Sequence, residues 1–274
     1  MSLFISSINS GSNGNCYYVG NSKDAVLIDT GLSCREIEKR MLRSGLSIEQ
    51  VRAIFISHEH IDHIRGVEVL SKKHGIPVYI TEKTLENGRI KMKNELVRIF
   101  DSEEMISINS LHVFPFFKSH DAADPYSFSV EYDGIRIGIF TDIGKVCEKL
   151  ILHFSQCHAA FLEANYDEEM LGNGHYPIYL KNRIRSDYGH LSNDQALSLF
   201  MEHKPEFLSH LLLAHLSKEN NSPSLVHELF SAQSGSTKII VASREEESAV
   251  YRIVKPGVSE EEEPDLRGQF VLQL

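Results

Sequence analysis

Apolar runs of strand length recur along this chain, each closed by a polar turn. They lie at 2–8, 16–20, 25–29, 52–56, 111–118, 127–132, 135–140, 158–162, 208–213 and 238–242, and they read as strands. Helical segments are expected near 33–44, 64–74, 192–203 and 222–231. In the third, Ser192 followed three residues later by Gln195 is the signature of a capping box, which opens a helix over 193–203. Asp133-Gly134 between two of the runs predicts a tight hairpin. Strands interleaved with helices in this order fit an α/β fold of two stacked mixed sheets with helices on the outer faces. No Gly/Ser/Pro-rich linker interrupts the 274 residues, so the expectation is one domain over 1–274.

The chemistry is densest at residues 56–63, ISHEHIDH, where His58, His60, Asp62 and His63 fall within six positions. In an extended segment His58 and His60 point to one side, because side chains alternate with period two. Asp62 and His63, where the chain turns, then face a second point close by. That layout suits two metal ions held side by side. Imidazole and carboxylate are ligands for divalent zinc, iron or manganese, and ions ~3.5–4 Å apart clamp an attacking oxygen between them. A polar loop with histidines capping a helix is the plainer reading of the same letters. Four apolar strands also end in a polar group: AVLIDTG (25–31) at Asp29, VFPFFKSHD (113–121) at His120, RIGIFTDIG (136–144) at Asp142 and SHLLLAHLS (209–217) at His215. Strand ends are where a sheet presents side chains to a shared, rigid cleft.

In order and spacing, these five segments resemble the five motifs of the metallo-β-lactamase superfamily. The resemblance covers roughly residues 1–245 and implies a four-layer αββα sandwich, with 246–274 as a C-terminal extension that includes an acidic segment at 259–265. It implies that His58, His60 and His120 hold one metal ion, that Asp62, His63 and His215 hold a second, and that Asp142 bridges both. Asp29 would orient the histidine loop without touching metal. An aspartate at the fourth motif and His63 after Asp62 resemble the dinuclear hydrolases; true lactamases tend to use a cysteine there, and none of the four cysteines falls at a motif. SGSNGNC (10–16), SHDAADP (119–125), and RIRSDYGHLSND (183–194) together with LAHLSKENN (213–221) are similar to the YycJ/WalJ-type branch. That likeness implies a phosphodiesterase of the exonuclease kind, acting on DNA from the 5′ end. It implies a metal-bridging hydroxide as nucleophile, two divalent ions (zinc, manganese or iron) as cofactors, and His190 as donor of a proton to the leaving oxygen. Asp62, Asp142 and His190 are the expected catalytic residues.

His190 also has chemistry of its own. It stands just outside a helix amino terminus, where backbone N–H groups and a partial positive charge favour phosphate; an ordinary histidine in the loop leading to a helix is the alternative. Lys181, Arg183 and Arg185, in KNRIR just upstream, are candidate phosphate contacts, and Ser192 is another substrate candidate. In SGSNGNC, Gly11 and Gly14 allow positive φ, so Ser12 and Asn13 are candidates for substrate contact. A plain turn between two strands explains that loop equally well. The polar stretch EANYDEEMLGNGHYP (163–177) is long enough to form a substrate wall; Glu163, Asn165, Asp167 and His175 share it, with no spacing that demands a role.

A formal net charge of −10 speaks against a protein that coats nucleic acid indiscriminately. The cleft has its own balance: two divalent ions bring four positive charges, and Asp62, Asp142 and a hydroxide remove three, which leaves a residue of positive charge suited to an anionic ester. The leading expectation is therefore a DNA exonuclease or another phosphodiesterase. A metal hydrolase of a small ester (cyclic phosphodiester, thioester or lactone) shares every ligand; a non-catalytic metal-binding regulatory protein would be marked by a lost ligand, and each position is filled. The start MSLFISSINS lacks the basic and apolar regions of a signal peptide, and the apolar stretch near 207–216 is too short to span a bilayer. Four cysteines without paired spacing read as the reduced thiols of a cytoplasmic protein.

Overall fold

In the strand Ala25–Ile28, Ala25 and Leu27 face one apolar cluster while Val26 and Ile28 face another. The strand His210–Ala214 divides the same way, with Leu212 and Ala214 turned inward and Leu211 and Leu213 outward. Strands covered on both faces read as continuous apolar runs, which is why they stand out in the sequence. A computed structural model describes residues 1–257, so the acidic segment 259–265 lies outside the described residues.

Six strands, β1 (Ser2–Asn9), β2 (Cys16–Gly20), β3 (Ala25–Ile28), β4 (Val51–Phe55), β5 (Val78–Ile80) and β6 (Val97–Ile99), form the first sheet in that order. The second runs β7 (Ile106–Ile108), β8 (Leu111–Phe117), β9 (Tyr126–Tyr132), β10 (Ile135–Phe140), β11 (Ala159–Glu163), β12 (His210–Ala214) and β13 (Lys238–Val241). The strand β14 (Tyr251–Val254) returns to the first sheet and pairs with β1, Ser2 opposite Val254. Packing thus continues past residue 245. Both sheets are mixed: β1–β3 and β7–β10 are antiparallel, while β3–β6 and β10–β13 are parallel.

Helices α1 (Cys34–Arg43), α2 (Ile61–Ile64), α3 (Val67–His74) and α4 (Glu82–Asn87) belong to the first half of the chain. The second half carries α5 (Glu148–Phe154), α6 (Glu168–Asn173), α7 (Ile178–Arg185), α8 (Asn193–His203) and α9 (Pro223–Ser231). Ile37 and Met41 of α1 pack with Val67 and Leu70 of α3 over the outer face of the first sheet. Leu150, Phe200 and Val226, from α5, α8 and α9, cover the second. The result is the αββα sandwich expected. Each expected strand forms, with ends moved by at most two residues. The single helix expected over 64–74 is instead α2 and α3, broken at Gly66, whose N–H bonds Thr30 O and where a Cβ would fall 2.2 Å from Leu32 O. The hairpin at Asp133-Gly134 joins β9 to β10 as expected. Among the described residues, no helix is long and apolar enough to cross a membrane.

Candidate metal centre

The loops that follow β3, β4, β8, β10, β11 and β12 converge on one edge of the sandwich. After β4 the chain stays extended through His58 and turns into α2 at His60, so His58 Nε2 and His60 Nδ1 stand 3.1 Å apart. His120, past the end of β8, brings its ring within 4.9 Å of His58 and 5.1 Å of His60. A second trio lies beside the first: Asp62 Oδ2 is 3.7 Å from His63 Nε2 and 3.8 Å from His215 Nε2. In each trio the donor atoms lie within 4.8 Å of one another. Asp142 stands between, with Oδ2 3.2 Å from His63 Nε2 and Oδ1 3.8 Å from His120 Nε2.

Local backbone geometry aims these groups. Asp29, Asp142 and His215 each follow a strand and adopt left-handed φ values of 61°, 56° and 55°. That conformation swings the side chain out of the strand, at a cost of ~1–3 kcal/mol for a non-glycine residue. Hydrogen bonds hold the turns in place. Asp29 N donates to Phe55 O at 2.8 Å, His215 N donates to Ser10 Oγ at 2.7 Å, and the buried Lys118 Nζ donates to Thr141 O at 2.7 Å beside Asp142. Asp29 accepts from Ser57 N and Ser57 Oγ, both at 2.8 Å, and from His63 Nδ1 at 2.7 Å, so it ties the histidine loop to β3. Asn15 N donates to Asp62 O at 2.7 Å, and a Cβ on Gly31 would fall 1.7 Å from that same oxygen.

Among the described residues, the buried His120 Nε2, His215 Nε2 and Asp142 Oδ2 have no aligned hydrogen-bond partner, even though His63 Nε2 comes within 3.2 Å of Asp142 Oδ2. Leaving such atoms unpaired costs ~1–3 kcal/mol each, and a bound cation removes that cost. A trio of histidines and a trio of Asp62 with two histidines, with the Asp142 carboxylate between them, fit two divalent ions of the type that imidazole and carboxylate accept. A family model described as the metallo-beta-lactamase superfamily matches residues 10–172, a span that holds Asp29, the 58–63 loop, His120 and Asp142. The chain belongs to the metallo-beta-lactamase superfamily. It is 35% identical to exodeoxyribonuclease YycJ of Bacillus anthracis over 228 residues, 82% of this chain and 86% of that protein. It is likewise 35% identical to exodeoxyribonuclease WalJ of Streptococcus pneumoniae serotype 2 strain D39 over 223 residues, 80% and 83% of the two chains. The metallo-beta-lactamase fold protein YhfI from Bacillus subtilis superposes with a TM-score of 0.70 at 14% identity, covering 92% of this chain and 100% of that one, a likeness of fold.

In this member of the superfamily Glu163, which no spacing in the sequence singles out, holds a central place. Its Oε1 accepts from His190 Nδ1 at 2.9 Å and His215 Nδ1 at 2.8 Å, while Oε2 accepts from Ile143 N at 2.8 Å and Leu191 N at 3.2 Å. The signal was present: AAFLEAN is another apolar strand closed by a polar residue. Burial opposes charge on Glu163, but His190 and His215 outweigh it and hold the carboxyl at about 2. Burial would also lower His63, yet Asp142, Asp29 and Asp62 raise it to about 10. His215 is raised in the same way, against burial, by Asp142, Asp62 and Glu163. Burial prevails at His58 and His120, which are lowered, His120 to about 3. Protons and cations therefore compete mainly at the second trio. Glu163 and the buried Lys118 offset each other in the cleft, while Asp29, buried against His63, adds a negative charge to the balance expected from the sequence.

The substrate candidates fare differently. The 10–15 loop is both things at once, a connection between β1 and β2 and a wall of the site, since Asn15 Nδ2 lies 3.1 Å from His63 Nε2. Ser12 is exposed, whereas Asn13 Nδ2 donates to Arg244 O at 2.7 Å. Lys181 donates to Gly172 O, Arg185 pairs with Glu168, and Arg183 pairs with Asp121, the neighbour of His120. Ser192 is buried, its hydroxyl accepting from Gln195 N in the capping box that opens α8. The free N–H groups expected at that helix end are corrected by the structure: Leu191 N bonds Glu163, Ser192 N bonds Gln195 Oε1, Asn193 N bonds Tyr166 O and Gln195 N bonds Ser192 Oγ. The capping box takes two of the donors a phosphate would have used, and Glu163 and Tyr166 O take two more.

Proposed function

We propose that this protein is a phosphodiesterase that takes two divalent metal ions and degrades DNA as an exonuclease from the 5′ end. Two relatives that carry the name exodeoxyribonuclease, each 35% identical over about four-fifths of the chain, support the choice of DNA. The observation that carries the reading of phosphodiester hydrolysis is the His190–Glu163 pair set against two ligand trios that share Asp142. In this reading His58, His60 and His120 hold one ion and Asp62, His63 and His215 the other. Asp142 serves both, and Asp29 keeps the loop in position.

When bound, a divalent pair lowers the pKa of water towards ~7 and polarises a phosphoryl oxygen. The protein groups do the rest. Asp142 and Asp62 fix the spacing of the two trios. Glu163 holds His190 by Nδ1, which leaves Nε2 on the opposite side of the ring to deliver a proton to the leaving oxygen. The same carboxylate holds His215 by Nδ1, so the proton donor and the second trio share one anchor. The donor set accepts zinc, manganese or iron.

The test is a time course with purified protein, supplied separately with Mn²⁺ or Zn²⁺, on a 5′-phosphorylated duplex labelled at either end, with Asp142→Asn as control. Metal-dependent mononucleotide release from the 5′ end, absent in the control, is expected. No DNA turnover, together with cleavage of a small ester, would move the assignment to a small-molecule hydrolase.

A further inference from the structure

The helix α7 buries no side chain, yet it stands beside the metal centre. His190 N donates to Ile184 O at 2.9 Å, which fastens the end of this helix to the residue proposed as proton donor. Its faces are used unequally. Lys181 and Arg185, four residues apart, are committed to α6 through Gly172 O at 2.7 Å and Glu168 Oε2 at 2.9 Å. Arg183 points elsewhere, to Asp121 Oδ2 at 2.5 Å, and Asp121 adjoins His120. Tyr179 precedes Arg183 by one turn on that same face and is 73% exposed. Tyr188, two residues before His190, is 62% exposed, and its carbonyl accepts from Asp121 N at 3.0 Å. Over residues 177–190, Lys181, Arg183 and Arg185 stand against Asp187, and Asp121 and Glu168 pair with two of these three cations, so Arg183 meets a phosphate in exchange for Asp121.

We infer that Tyr179 and Tyr188 form a stacking platform along which a single strand of DNA reaches the metal centre, with Arg183 between them drawing its phosphates. The inference rests on the proposed DNA nuclease activity and adds to it the form of the substrate. Large rings held open to solvent beside a site, with a guanidinium one turn from Tyr179 and joined to Tyr188 through Asp121, match the chemistry of unpaired bases on a charged backbone: a base stacks on an aromatic ring whatever its identity, and the gain is roughly 5- to 150-fold in affinity per base. The Arg183–Asp121 pair is exposed, so a phosphate competes readily for the guanidinium. Eight residues of helix span ~12 Å, about four nucleotides at a stacked rise of ~3.4 Å. Bases in a duplex hide their faces, so a strand with an unpaired end is preferred over a blunt duplex.

The experiment is fluorescence anisotropy of the metal-loaded protein with single-stranded, phosphorothioate-linked oligonucleotides, from dinucleotide to decanucleotide, alongside sedimentation. The wild type is expected to bind more tightly with length up to about four nucleotides and then level off. Tyr179→Ala and Tyr188→Ala are each expected to weaken binding by roughly 5- to 150-fold and to flatten the length dependence, with Tyr→Trp at either position restoring both. Alanine variants that bind every length as the wild type does would overturn the platform, as would a wild type that prefers blunt duplex. So would a shift in oligomeric state with DNA binding untouched, which would make this face a contact between copies of the chain. A wild type that binds no DNA but hydrolyses a small phosphodiester would instead remove the nuclease reading, and the platform with it.

Discussion

Glu163→Gln changes one atom at a position where all four hydrogen-bond partners are donors. The carboxylate receives two imidazole N–H groups on Oε1 and two backbone N–H groups on Oε2. An amide offers one acceptor oxygen, so either pair of donors must meet an NH₂ group. If that group faces Ile143 N and Leu191 N, two buried N–H groups are orphaned at ~1–3 kcal/mol each, about 2–6 kcal/mol together. The turn that presents Asp142 then loosens. If it faces the imidazoles, each Nδ1 must accept instead, which moves the ring proton to Nε2. His215 Nε2 is the atom turned towards Asp62 in the second trio, and a protonated nitrogen cannot bind metal. Loss of such a supporting hydrogen bond costs about 10- to 100-fold in metal affinity. The assay is metal content by elemental mass spectrometry after equilibration at graded free Zn²⁺ or Mn²⁺, with thermal unfolding in parallel. The expected result is stepwise loss of one ion at concentrations where the wild type keeps two, and an unfolding midpoint lowered by at least ~4 °C, at ~2–4 °C per kcal/mol. A variant that holds both ions with wild-type affinity and unfolds within ~1 °C of the wild type would refute the shared-anchor argument.

Other consequences are more compact. His190→Ala should slow phosphodiester cleavage by ~10²–10⁴ while metal content stays that of the wild type; full activity would remove it as the proton donor. Gly31→Ala places a methyl 1.7 Å from Asp62 O, so the loop must move. The expected cost is ~1–3 kcal/mol in stability with the second ion bound more weakly than the first, read by chemical unfolding and metal content, and unchanged values would show that the contact is slack. His153, stacked 4.2 Å from Phe116 and 3.0 Å from Ser129 Oγ, has its pKa pushed down by burial first and then by Arg136, to about 4. A free imidazole titrates near ~6.5, so between these values the unfolded chain binds more protons; the contribution is fully present above ~6.5 and is lost as pH falls towards 4. The whole shift is worth about 3 kcal/mol, and partial solvent exposure of the ring reduces that to roughly 1–2 kcal/mol. Urea unfolding of wild type and His153→Gln across that window checks it, and parallel pH curves would contradict it.

Asp29, His58, His120, Asp142 and His215 are legible in the sequence because each follows a buried strand, and a strand buried on both faces is an unbroken apolar run; Asp62 and His63, in α2, are legible from their spacing to His58 and His60. Glu163 obeys the same rule and was nonetheless passed over, for its partners stand 27 and 52 residues away and no local spacing names them. Distance along the chain also hides β14, whose pairing with β1 joins the two ends of the described chain. The strands β5, β6 and β7 are three residues each, too few positions for a period of two to declare itself. Helix α7 escapes for a different reason. Sequence periodicity detects a helix by the stripe it buries, and α7 buries none fully: Ile178 and Tyr179 face solvent, and Leu180 and Ile184 are only half-buried. An element held in place by Arg183–Asp121, Arg185–Glu168 and the His190 N–H, with only half-buried apolar side chains, leaves Tyr179 open to solvent. The property that conceals α7 from the hydrophobic pattern is thus the one on which its proposed role, receiving a strand beside His120 and His190, depends.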